Sequence, residues 1–302
     1  MSILTVGSVA YDDIITPYDK RTRALGGSAT YFALAARHFH EVSLVAVIGN
    51  DFNYADEQLL RDKGIDLKGL EKVAGRCFYW KGEYLANWND RVTHDTQLNV
   101  FEHFNPKVPD EYRAHPFVFL GNIHPSLQRE VLNQMNEQPK VVALDTMNLW
   151  IKETRKDLLE TLKQVDVLLI NDSEAQMISG EHNLMDAART IAKMGPSTLC
   201  IKRGEHGALL VKGDQIFTAP AYPLCRVVDP TGAGDTFAGG FVGYLAGSGD
   251  LSFDNMKRAV IYGSVMGSFT VESFSVDRIA AVTRDDIEAR YRDFVAYTHF
   301  HV

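Results

Sequence analysis

Nine residues, Asp229-Pro-Thr-Gly-Ala-Gly-Asp-Thr-Phe237, carry the densest chemistry in the chain. They run into Ala238-Gly-Gly-Phe-Val-Gly-Tyr-Leu245, where Phe237, Phe241 and Leu245 recur at helical spacing, so a helix is expected to begin near Gly232. Gly234, Gly239, Gly240 and Gly243 each weaken such a helix by roughly 1 kcal/mol relative to alanine. Glycines let backbone come close to a ligand or to another helix, and the free N–H groups and dipole of a helix start attract an anion. Gly232, Ala233 and Gly234 are placed to offer those groups to a phosphate. A carboxylate at Asp235 beside a bound phosphate then needs a task, and accepting the proton of a hydroxyl that attacks phosphorus is one. Complementing the helix dipole is the plainer alternative.

Other phosphate loops are absent. No Gly-Lys dipeptide occurs, which excludes a Walker A loop, and neither Gly-x-Gly is followed by the third glycine of a dinucleotide fingerprint. Further candidates sit where strand patterns end. Asp12 and Asp13 follow the apolar run closed by Gly7-Ser8, and ligands bind at the C-terminal strand ends of open α/β sheets. Asn122 and His124 follow Phe117–Leu120 in the same way. Gly26-Gly27 precedes an alanine-rich helix pattern, and permits either close backbone approach or an ordinary turn. Asn171-Asp-Ser-Glu174 suits a helix cap as well as a hydrated Mg²⁺ beside substrate phosphates. Lys202-Arg-Gly-Glu-His-Gly207 lies between two strand candidates and reads as a glycine hairpin.

The elements that must position these residues are legible as a rhythm. Short apolar runs at Ile3–Val6, Val42–Ile48, Phe117–Leu120, Val141–Leu144, Val167–Ile170, Thr198–Ile201 and Ala208–Val211 alternate with helical spacing. The helical stretches are Ala29–Phe39, Leu127–Met135, Leu149–Leu162 and Met185–Met194, with Asp285–Tyr297 closing the chain. That rhythm predicts a mainly parallel sheet covered on both faces. Two intervals depart from it. Segment 14–25 is extended and polar, and segment 76–101 reads as an antiparallel hairpin turning at Lys81-Gly82-Glu83. Together they are expected to form a small sheet projecting from one large domain spanning residues 1–302.

Composition sets the limits. Over 302 residues, 45% hydrophobic and 23% charged residues exclude disorder, collagen and coiled coil. A net charge of −8 argues against neutralising nucleic-acid phosphates. Cys77, Cys200 and Cys225 are scattered, without disulfide or zinc spacing. The first residues lack a basic leader, and no apolar run approaches the ~18 residues of a membrane span. A cytoplasmic protein with no nucleic-acid or membrane partner is expected.

Asp229–Gly240 and Gly26-Gly-Ser-Ala-Thr-Tyr-Phe-Ala-Leu-Ala35 resemble the C-terminal and N-terminal motifs of the ribokinase-like (PfkB) carbohydrate and nucleoside kinases. The resemblance spans nearly the whole chain and implies a three-layer α/β fold with a small β-sheet lid. It implies ATP and Mg²⁺, a monovalent cation, and transfer of the γ-phosphate to a hydroxyl, expected to be the hydroxymethyl of a small sugar. A nucleoside acceptor, or a catalytically silent sensor, is the alternative. Asp235 would be the general base, with Gly232, Ala233 and Gly234 the anion hole. Asp12, Gly26, Gly27 and Tyr31 would bind the acceptor, with Asn122 and His124 as further contacts. Lys202, Gly204 and Gly207 would hold the nucleotide, and Asn171 and Glu174 would position Mg²⁺ through water. Tyr31 stands where many sugar-specific members carry Asn, and Ala10 where a ribose kinase would place Asn. The lid aromatics Phe78, Tyr79, Trp80, Tyr84 and Trp88 are expected to pack against a second subunit's lid rather than stack on a base, making a homodimer.

Overall fold

The computed structural model describes residues 2–88 and 90–299, so Asn89, inside the expected lid segment, lies outside the described residues. Thirteen strands are described: β1 Ile3–Val6, β2 Ala10–Ile15, β3 Lys20–Gly26, β4 Val42–Ile48, β5 Asp66–Lys72, β6 Phe78–Tyr84, β7 Arg91–Gln97, β8 Phe117–Leu120, β9 Val141–Leu144, β10 Val167–Asn171, β11 Thr198–Lys202, β12 Ala208–Lys212 and β13 Gln215–Ala219. The helices are α1 Ser28–Ala36, α2 Tyr54–Asp62, α3 Pro125–Asn133, α4 Asn148–Glu153, α5 Arg155–Leu162, α6 Asp172–Ser179, α7 Leu184–Ala192, α8 Ala233–Ser248, α9 Phe253–Thr270, α10 Asp277–Ala281 and α11 Arg284–Thr298.

Nine strands make one sheet in the order β13-β12-β11-β10-β9-β8-β1-β4-β5. β1 lies between β4 and β8, parallel to both, so the order reverses there and opens a crevice at the strands' C-terminal ends. The central strands are buried end to end, which is why they read as continuous apolar runs. Alternate residues feed two cores. Phe117, Phe119 and Leu169 pack under α1, α8 and α9, while Val118, Leu120 and Leu168 pack under α3, α5, α6 and α7. A three-layer α/β architecture follows.

β12 pairs antiparallel to β11, as a hairpin at Lys202–Gly207 requires, and β13 joins it, because that turn is too short for a crossover helix. Three expectations change in detail. The helical stretch Leu149–Leu162 breaks at Thr154, with φ −128° and ψ 36°, into α4 and α5. Lys81-Gly82-Glu83 is not a turn but lies within β6, beside a register shift; the chain reverses after it, where Trp88 takes φ 61°. The second sheet starts at Ala10 rather than Ile14, and so includes Asp12.

That sheet has the order β3-β2-β6-β7, antiparallel except for the parallel β2–β6 pair. Its inner face places Ile14, Ala24 and Tyr84 against Phe274, with Trp80, Trp88 and Val228 packed around them. Ser275 ties the sheet to the main body, donating to the Leu25 carbonyl at 2.7 Å.

Candidate active site

Two loops meet in the crevice beyond β1. Ser8 follows that strand and clamps the start of α1: its backbone N–H donates to Ser28 Oγ at 3.1 Å, and the Ser28 N–H donates to Ser8 Oγ at 3.0 Å. Gly26 precedes that helix, and its lack of a side chain matters. A Cβ there would stand 2.1 Å from Asp12 Oδ2, so the glycine makes room for the carboxylate. Asp12 is 5% exposed and feels the charges of Asp229, Asp235 and, next to it in the strand, Asp13. Burial, then these like charges, push its carboxyl up to about 8.

The opposite wall is the start of α8. Gly232 takes φ 76°, a left-handed conformation that favours glycine, and a Cβ there would fall 2.3 Å from the Tyr31 ring. Asp229 holds this loop, accepting from Thr231 N–H at 2.9 Å and Ser275 N–H at 3.3 Å. Of the three residues expected to offer N–H groups, Ala233 donates its own to the Pro230 carbonyl at 3.2 Å. Among the described residues, the N–H groups of Gly232 and Gly234 have no protein acceptor. The free pair at the helix start is therefore Gly232 and Gly234. Asp235 stands in the first turn and keeps some solvent contact. Burial, then the charges of Asp145 and Glu174, raise its carboxyl to about 7, while Lys202 opposes the rise.

A second cluster adjoins that turn. Lys202, at the end of β11, donates to Asp145 Oδ2 at 3.2 Å, and a Cβ on Gly234 would sit 3.0 Å from its Nζ. Burial pulls the ammonium down, but Asp145, Glu174 and Asp235 outweigh it, and the net direction is up. Asn171 and Glu174 form a reciprocal capping box on α6, with Glu174 N–H donating to Asn171 Oδ1 at 2.7 Å and Asn171 N–H to Glu174 Oε2 at 2.8 Å. Burial and then Asp145 raise Glu174 to about 7. The cluster thus holds more buried carboxylate than Lys202 neutralises, a surplus that fits a divalent cation arriving with nucleotide phosphates. Gly204 and Gly207 shape the β11–β12 turn beside it, where Arg203 N–H donates to the Gly207 carbonyl at 2.8 Å.

The structure brings together Asp12, Gly26, Gly27, Tyr31, Gly232, Gly234 and Asp235 on one side, and Asn171, Glu174 and Lys202 on the other. Asn122 and His124 engage elsewhere. Asn122 Oδ1 accepts from the Trp150 indole at 2.8 Å, while His124 caps α3 and pairs with Ser126 at 2.8 Å. Sequence reasoning missed Asp145, although its place directly after β9 is the rule that singled out Asn171. It also missed the inward turn of Trp80 and Tyr84. Tyr84 is 8% exposed and accepts a hydrogen bond from Thr231 Oγ1 at 3.2 Å, and Trp80 packs beside it on the inner face of the sheet.

A carboxylate in front of a glycine-opened helix, at the switch point of an open sheet, is the site of a phosphotransferase that acts on a hydroxyl. Residues 2–281 match the family described as pfkB family carbohydrate kinase, and the chain belongs to that family. A cytidine kinase from Thermococcus kodakarensis is 32% identical over 255 residues, covering 82% of this chain and 90% of that relative. The nucleoside kinase of Burkholderia thailandensis, solved with inosine, superposes with a TM-score of 0.81 at 20% identity, covering 98% and 99% of the two chains. An E. coli protein described as a ribokinase II, solved with ATP and Mg²⁺, gives 0.80 at 18% identity, covering 97% and 99%. The kinases of this family use ATP. No helix among the described residues is long and apolar enough to cross a membrane.

Proposed function

We propose that the chain transfers the γ-phosphoryl group of ATP to the hydroxymethyl oxygen of a nucleoside. The observation that carries this reading is the start of α8, where Asp235 stands in the first turn behind the free N–H groups of Gly232 and Gly234, with the Gly232 loop against Tyr31. In the reaction, the acceptor oxygen forms a bond to the γ-phosphorus, the bond to the β–γ bridging oxygen breaks, and the acceptor proton passes to Asp235. Asp12 orients the acceptor. The N–H groups of Gly232 and Gly234 stabilise the charge that develops on the transferring group. Lys202 lies against Gly234, where it meets the nucleotide phosphates. Asn171 and Glu174 would hold the water shell of Mg²⁺, which supplies charge neutralisation when bound.

A nucleoside is preferred over a free sugar because the Thermococcus relative is a cytidine kinase and because Tyr31 replaces the Asn of sugar-specific members. The four-stranded sheet is read as a lid. A homodimer through it is part of the proposal, since β7 ends the sheet and exposes Val92 and Leu98 beside its open edge. ATP dependence supports action in the cytoplasm. A requirement for a monovalent cation is checked by exchanging potassium for sodium salts.

The test is ADP release from ATP·Mg²⁺ with nucleosides, pentoses, hexoses and sugar phosphates, using Asp235→Asn as the control. Turnover with nucleosides that the substitution removes upholds the reading. Turnover with free sugars alone overturns the acceptor assignment, and activity undiminished in Asp235→Asn overturns the role of the base.

A further inference from the structure

We propose that Trp80, on the inner face of the small sheet, is the platform on which the base of the acceptor nucleoside stacks. The inference rests on the nucleoside reading above. β2 and β6 pair in parallel with Asp12 opposite Trp80, so the two side chains stand on the same face, one strand spacing of about 4.8 Å apart. The Asp12 carboxylate is buried in the crevice, and a ribose held there carries its base toward the neighbouring strand. The neighbour at that level is an indole.

Three contacts fix the ring. Gly82, next on the same face of β6, leaves the space the indole occupies: a Cβ there would stand 2.0 Å from the ring. The indole N–H donates to Thr93 Oγ1 at 3.2 Å, across the β6–β7 pair. Tyr84 meets it edge-on with centroids 6.5 Å apart, and Tyr84 is itself tied to Thr231 in the loop before α8. The ring is thus held flat along its strand yet remains half-buried. A rigid aromatic face beside a hydroxyl-binding carboxylate is suited to a planar base attached to a sugar, because every base has a π-face and the ring loses little entropy on binding.

The experiment measures ADP release by wild type, Trp80→Ala, Trp80→Phe and Gly82→Ala, with cytidine, uridine, adenosine, inosine and free ribose as acceptors. Trp80→Ala is expected to raise the KM for nucleosides about tenfold or more while kcat changes less than about threefold and the KM for ATP stays put. Trp80→Phe should retain most of the wild-type affinity. Gly82→Ala, which keeps the tryptophan but displaces its ring, should raise the same KM and so answers the question if Trp80→Ala does not fold. Nucleoside turnover whose KM is indifferent to both Trp80→Ala and Gly82→Ala overturns this inference alone. An equal rise in KM for ribose overturns it too, since the contact would then be to the sugar. Wild-type enzyme inactive on every nucleoside overturns the acceptor assignment and this inference with it.

Discussion

Asp235 and Asp12 are both carboxyls raised first by burial and then by neighbouring carboxylates, Asp145 and Glu174 for the one and Asp229, Asp235 and Asp13 for the other, and the consequences differ by role. Asp235 must be ionised to accept a proton. With its carboxyl near 7, kcat/KM is expected to climb about tenfold per pH unit below that value and to level off above it. Asp235→Asn should lower kcat by about a thousandfold with little change in the KM for ATP, as read by steady-state kinetics. Asp12 bears on stability as well as on the binding proposed for it. Its folded value of about 8 lies above the ordinary 3.8, so the folded chain holds a proton that the unfolded chain releases. Stability therefore falls as pH rises through that window. Asp12→Asn removes the loss: denaturant melts should show the variant more stable by about 1–3 kcal/mol at pH 8, and nearly matched to wild type at pH 4. The same variant should bind the acceptor more weakly, which separates the two effects.

Helices α1 and α8 touch closely because small residues line their contact. A Cβ on Gly239 would stand 2.4 Å from the Phe32 carbonyl oxygen and 2.7 Å from Ala35 Cβ. Gly239→Ala should therefore destabilise the protein by about 1–3 kcal/mol, visible as a Tm lowered by several degrees, with the KM values of the folded fraction unchanged. The glycines of α8 serve two ends: Gly232 and Gly234 open it toward the crevice, while Gly239 and Gly243 let α1 in. The sequence announced their number but not this division, because spacing alone does not separate a ligand from a neighbouring helix. Strands β8 and β9 were legible to the residue, since burial on both faces leaves an unbroken apolar run at Phe117–Leu120 and Val141–Leu144. β5 escaped notice because its Asp66–Lys72 alternates charges at a sheet edge. Asp145 escaped because a lone aspartate after a strand has no motif around it. The placement of Tyr84 over Thr231, 147 residues away, depends on tertiary packing that no local pattern encodes.

Across the whole molecule, the two carboxylates proposed to meet the acceptor belong to different bodies. Asp12 lies on the small sheet, whereas Asp235 opens a helix of the main layer. Binding of a nucleoside with a non-hydrolysable ATP analogue should therefore draw the two together and slow hydrogen exchange in β6 and β7 beyond what either ligand achieves alone. Thermal melts should follow suit, with the largest Tm rise for both ligands present. The register that sets Asp12 opposite Trp80 joins strands lying 68 positions apart in the chain. Heredity feels that separation. A crossover between relatives anywhere between the two strands yields a chimera with one parent's residue at position 12 and the other's at position 80. A single-codon insertion in β6 ahead of Trp80 would turn the indole outward, and Tyr84 with it. With the proposed roles, acceptor preference would be open to change by point substitution on β6 and fragile to insertions there, while the residues proposed to handle phosphate would come intact from a distant stretch of the gene.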